Sequence, residues 1–231
     1  MSEPVRSVHS RVLATAFGLC ACAMIALLAN HPHGGAQTFA EVLRIEAREQ
    51  TAAAVVHGGF IATLAVLTAC LSFLCRDLGA HRVAVTSGFI AFCIGTGVMI
   101  ASLLIDGLVI PAIAVRYVDV ATPEALASAR TIFVLCGTLI GFLMPMALAF
   151  QGLAMIGISY ALLGPAIMAR VAGFYGMAAG GILCVMVFAA PPAMREHVVL
   201  IGIVFEALWY LALAAAVFGA KGPQPQPRPE V

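Results

Sequence analysis

The chain has 231 residues, 62% hydrophobic and 10% charged, with a formal net charge of +1 and a mean hydropathy of +1.05. A soluble domain carries about 25% charged residues, so a freely soluble globular fold and a disordered chain are both excluded. The near-neutral charge also excludes nucleic acid as a partner.

A membrane span needs about 20 apolar residues to cross about 30 Å of hydrocarbon. The first such run covers residues 12–29, behind the basic leader Arg6 and Arg11. It is longer than a signal-peptide core and no A-x-A site follows it, so it is predicted to remain in the membrane. Residues 30–50 form the longest loop and carry His31-Pro32-His33-Gly34. Within it, Thr38 and Glu41 have the spacing of a capping box. Phe39, Val42, Leu43 and Ala47 form an apolar stripe opposite Glu41, Arg44, Arg48 and Glu49. Together they predict a short amphipathic helix lying on the membrane surface.

The second span covers residues 51–75, contains His57 and is closed by Arg76-Asp77. The third runs from 83 to about 105, or to 110 if the helix passes through Asp106-Gly107. Asp106-Gly107 followed by Pro111 is also a reason for the helix to end in water there. The fourth covers 131–158 with Pro145 inside it, where a kink is expected. Thr122-Pro123-Glu124 has the cap-then-proline pattern of a helix start, so this helix should begin before its apolar core. The fifth covers 171–190 and stops at Pro191-Pro192, and the sixth covers 197–218. The predicted fold is all-α: a polytopic membrane bundle of six transmembrane helices with a short amphipathic surface helix between the first two. Residues 1–220 form one domain, and 221–231 a Pro-rich polar tail.

Basic residues in short loops set orientation. With the N-terminus inside, seven fall on the inner side and five on the outer, while Glu41, Glu46, Glu49, Asp119, Glu124 and Glu196 all lie outside. Both termini are therefore expected in the cytoplasm. The Ala-, Gly- and Arg-rich, lysine-poor usage suggests a bacterial inner membrane. Lipid-embedded helices associate through small residues, supplied by Gly137-x-x-x-Gly141, Gly176-x-x-x-Gly180, Ala91-x-x-x-Gly95 and Gly97-x-x-x-Ala101. Contacts within the bundle are the expected use; a homo-oligomer or a membrane partner is the alternative. The seven cysteines all lie in apolar spans and read as small buried hydrophobes.

The only lysine is Lys221, in the tail, so no intramembrane lysine exists for a retinal Schiff base or a nucleotide phosphate. Ionisable groups inside spans are functional candidates by default, and three stand out: His57, Asp106 and Glu206. Glu206 shares a helix face with Tyr210 at i+4, and Tyr210 or Gln151 are its candidate partners. In the expected topology His57, Asp106, His197, His31 and His33 fall in the outer half of the bilayer, with Glu206 near the midplane. Three functions remain open at this stage. One is a small transporter or proton/cation-linked protein using Glu206, His57, Asp106 and Tyr210. Another is a membrane-embedded metal-dependent enzyme with a divalent ion on His57, Asp106 and Glu206, assisted by His31 and His33. The last is a non-catalytic accessory subunit.

Overall fold

Each predicted span becomes one helix in the computed structural model, which describes residues 3–31, 38–120, 122–191 and 194–219. His33 and the tail beyond 219 lie outside the described residues, and the side chains of residues 3–8, 195 and 196 are likewise not described. The helices are α1 (Glu3–Ala29), α2 (Phe39–Gly79), α3 (Val83–Leu104), a π-helical turn (Ile105–Val109), α4 (Ile110–Tyr117), α5 (Pro123–Ala161), α6 (Ile167–Ala189) and α7 (Arg195–Gly219). Six helices are long and apolar enough to cross a membrane; α3, the π turn and α4 count as one. This is a multi-pass membrane protein.

The spans form a ring in chain order. α1 packs on α2, α2 on α3, α3 on α5, α5 on α6, α6 on α7, and α7 closes back on α1. The ring is filled by Phe17, Met24, Leu67, Phe92, Met155, Trp209 and Leu213. Its outside is apolar, with Leu19, Val134, Phe142, Phe174 and Phe188 exposed, the surface a helix bundle presents to lipid.

Small residues bring α3 and α5 together. A Cβ on Gly157 would lie 2.8 Å from the Ala84 carbonyl oxygen and 3.0 Å from Gly88 Cα. On α6, Gly180 lies against the Gly152 carbonyl, and Gly176 against Ser159 and Trp209. Gly95 packs on α5, whereas Gly97, Gly137 and Gly141 face open space. The small-residue patterns are therefore used unequally: α6 spends its pair inside the bundle, and the Gly137–Gly141 pair of α5 remains outside it.

One expectation about helix ends needs correction. Among the described residues there is no separate surface helix between the first two spans. The capping box forms as expected, with Thr38 Oγ1 accepting from Glu41 N–H and Glu41 Oε2 accepting from Thr38 N–H. The helix it starts then runs unbroken for 41 residues, about 60 Å at 1.5 Å per residue and twice the hydrocarbon thickness. Nothing between Ala47 and Ala54 stops it. Protein, not lipid headgroups, covers part of its apolar stripe: Leu43 is buried, and Phe39 meets Phe133 of α5 edge-on at 5.3 Å.

The third span also continues through Asp106-Gly107. Pro111 has no N–H to donate to the Gly107 carbonyl, so a regular turn would lose a bond there. The Ile110 N–H reaches back five residues to the Ile105 carbonyl, which widens the turn and lets the helix resume as α4. α5 starts at Pro123 with Thr122 as N-cap, as the sequence predicts, and runs through Pro145 to Ala161.

Candidate functional site

The wide turn decides where Asp106 points. Its Oδ2 lies 3.1 Å from His57 Nε2 on α2 and 4.0 Å from His31 Nε2, just past the end of α1. The two imidazoles meet edge-to-face with centroids 5.0 Å apart. One ligand-type atom from each of the three side chains falls within 4.8 Å of the others. Three separate elements thus deliver two imidazoles and a carboxylate to one point.

His57 is 3% exposed, while Asp106 and His31 are 39% and 38% exposed, so the cluster is buried at His57 and part-open at its other two members. Gly107 makes the approach possible. A Cβ there would collide with Cβ and Cγ of His57, so the imidazole rests on bare backbone. The other ring nitrogen is committed as well: His57 Nδ1 lies 2.8 Å from the Ala53 carbonyl oxygen, one turn back on α2. A carbonyl only accepts, so Nδ1 carries the proton in this bond. In the neutral ring Nε2 is then a bare lone pair, facing a carboxylate oxygen at hydrogen-bond distance. Two acceptors at 3.1 Å require a positive charge between them, either a proton or a metal ion.

Glu46 stands above the cluster on the same face of α2, with Ala53 at i+7 and His57 at i+11. It lies beyond the apolar core of the span. Partial burial first, then the nearby Asp106 and Glu49, hold its carboxyl above the ordinary range, and His57 opposes that shift. Two acids near one opening give it a negative potential, which concentrates cations.

Glu206 and Tyr210 stand elsewhere. Along their helices, His57 and Asp106 lie about 33 Å from the opposite end of the bundle, whereas Glu206 lies about 20 Å from it. α7 packs on α1, α5 and α6 and, among the described residues, touches neither α2 nor the π turn. The structure therefore brings together His31, His57 and Asp106 and leaves Glu206 and Tyr210 out of their reach. The reason is the ring, which inserts α1 between α7 and α2.

Glu206 is fully buried, and neither of its carboxyl oxygens has a hydrogen-bond partner among the described residues; nor does the Tyr210 hydroxyl. The Tyr210 ring stacks on Phe17 of α1 at 6.2 Å. Gln151 is not a partner of Glu206, because its side-chain amide donates to Thr96 Oγ1 at 3.0 Å. Trp209 donates to Ser159 at 2.9 Å. His197 is exposed at the start of α7, and His9 pairs with Asp77 at 3.8 Å at the far end of the bundle.

Three participants were hidden in the sequence: the Ala53 carbonyl, Gly107 and Glu46. Glu46-Ala53-His57 has a readable helical spacing, and Gly107 sits beside the acid. The π turn that aims Asp106 leaves no such mark.

No protein family, curated protein or solved structure matches the chain.

Proposed function

We propose that this is a small cation-linked transport protein of a bacterial inner membrane, with both termini in the cytoplasm and the His31–His57–Asp106 cluster at the outer face. The observation that carries the reading is the His57 Nε2–Asp106 Oδ2 contact at 3.1 Å, made while Nδ1 is held by the Ala53 carbonyl. A pair that needs a cation between its atoms, sited where solvent meets the bilayer, suits cation capture. Glu206, deep in the bundle without a hydrogen-bond partner among the described residues, is a separate carboxyl that could take up a proton, with Tyr210 beside it. A bare carboxylate in that setting costs several kcal/mol, which makes an acid placed there a functional candidate.

Proteoliposomes loaded with a pH dye and a divalent-metal dye test this. The wild type should move protons or divalent cations when a gradient of either is imposed. Asp106→Asn should reduce that flux at least tenfold, and Glu206→Gln should reduce its proton component. Wild-type flux equal to that of empty liposomes sinks the reading. Full flux in both variants points to an accessory role for the chain. A metal-dependent enzyme is the second reading, favoured because three protein ligands leave a fourth position for water or substrate.

A further inference from the structure

The cation at the outer cluster can be named more closely from the donor set. Two imidazole nitrogens and one carboxylate oxygen suit borderline divalent ions such as Zn²⁺, Co²⁺ or Fe²⁺. They suit Ca²⁺ and Mg²⁺ poorly, since those ions prefer all-oxygen shells. We infer that His31, His57 and Asp106 form a divalent transition-metal site of the Zn²⁺ class, with one coordination position open to the outer face. The inference rests on the cation-linked reading above and assigns its ligand.

Four features support it. The first is spacing. Ligands about 2.1 Å from a tetrahedral ion stand about 3.4 Å apart; the His57–Asp106 atoms are 3.1 Å apart and the His31–Asp106 atoms 4.0 Å. One pair is already at bonding separation, and all three ligand atoms lie within 4.8 Å of one another, so His31 has to close on both partners. The second is tautomer. A metal-bound histidine characteristically donates its other N–H to a carbonyl or carboxylate, and His57 Nδ1 does so to Ala53 at 2.8 Å. With Nδ1 so committed, the neutral ring offers Nε2 as a lone pair, the form a metal needs.

The third is rigidity. His57 is pressed between the Ala53 carbonyl and the bare backbone of Gly107, whose Cβ position it fills. The π turn is set by Pro111, so Asp106 is aimed by backbone and not by side-chain choice. The fourth is access. His31 follows the end of α1 and is part-exposed, so it can move onto an ion that enters from outside. His31 is thus the more exposed ligand, beside the buried His57 that Asp106 contacts.

The test uses the untagged full-length protein in detergent, probed with Zn²⁺ by elemental analysis after desalting and with Co²⁺ by visible spectroscopy. The wild type should retain one Zn²⁺ per chain, and Co²⁺ should give d–d bands that Zn²⁺ abolishes. Asp106→Asn and His57→Gln should each weaken Zn²⁺ binding at least tenfold. His31→Gln, at a helix end outside the packed core, should weaken it with no change in gel-filtration profile. His197→Gln should bind as the wild type does. A Zn²⁺-dependent rise in melting temperature, present in the wild type and absent in Asp106→Asn, separates lost binding from lost fold. No retained metal, or Asp106→Asn binding like the wild type, overturns the inference. Proton flux that still depends on Asp106 in a protein binding no metal would leave the cation-linked reading standing. Stoichiometric metal without flux would leave the site and remove the transport.

Discussion

A methyl group at position 107 has nowhere to go, because it would overlap Cβ and Cγ of His57. Gly107→Ala should therefore push the imidazole off the π turn and open the 3.1 Å contact to Asp106. Overpacking of this kind costs about 1–3 kcal/mol. The expected outcome is a lower melting temperature in detergent together with loss of Asp106-dependent cation binding. A Gly107→Ala protein with wild-type melting and binding would show that His57 does not need the bare backbone. At this scale the sequence was informative about which side chains matter: His57 and Asp106 stand out as ionisable groups in apolar runs. It could not separate Asp106 from Glu206, because both are lone acids in apolar surroundings and their difference lies in what stands opposite. Asp106 faces two imidazoles; Glu206 is fully buried near Tyr210 with no hydrogen-bond partner among the described residues.

The helices raise a different question, since α2 is about twice as long as a bilayer requires. Residues 39–50 read as amphipathic, and amphipathic stretches near a membrane are assigned by default to its surface. Phe39 of the stripe instead meets Phe133 of α5 and Leu43 is buried, so part of the stripe is covered by protein. Spin labels at the exposed positions Arg44 and Val66 should report about 33 Å if α2 is straight, against about 25 Å if it bends at the interface onto the membrane surface. The capping box can be tested separately. Thr38→Ala removes the acceptor for Glu41 N–H and should cost about 1 kcal/mol, seen as faster hydrogen exchange in the first turn of α2 with the span unchanged. The π turn is the element least legible in advance. Pro111 announces a disturbance, but whether the chain stops or takes a wide turn depends on whether α2 is there to receive Gly107.

For the molecule as a whole, the close approach of α3 and α5 is the contact most exposed to test. A Cβ on Gly157 meets backbone, the Ala84 carbonyl and Gly88, which cannot rotate aside, whereas Gly137 faces open space. Gly157→Ala should destabilise the bundle by about 1–3 kcal/mol in SDS unfolding, and Gly137→Ala should leave monomer stability unchanged. If the Gly137–Gly141 face pairs with a second copy, Gly137→Ala will lower cross-linking yield in liposomes without that loss of stability. Equal stability losses in both variants would contradict the packing described here.

Composition and hydropathy were enough to establish a six-span helical membrane protein, because a lipid environment forces every span to announce itself as a long apolar run. Helix starts at Thr38 and Thr122 were equally readable, since caps are local chemistry. Tertiary structure alone decided which polar residues meet. Closing the spans into a ring in chain order puts α1 between α2 and α7, so depth in the membrane, which the sequence encodes, does not translate into proximity. The ring brings His31 to His57 and Asp106 and keeps Glu206 apart, and the wide turn at Ile105–Val109 completes the site. Those are relations between segments distant in the chain, and hydropathy carries no record of them.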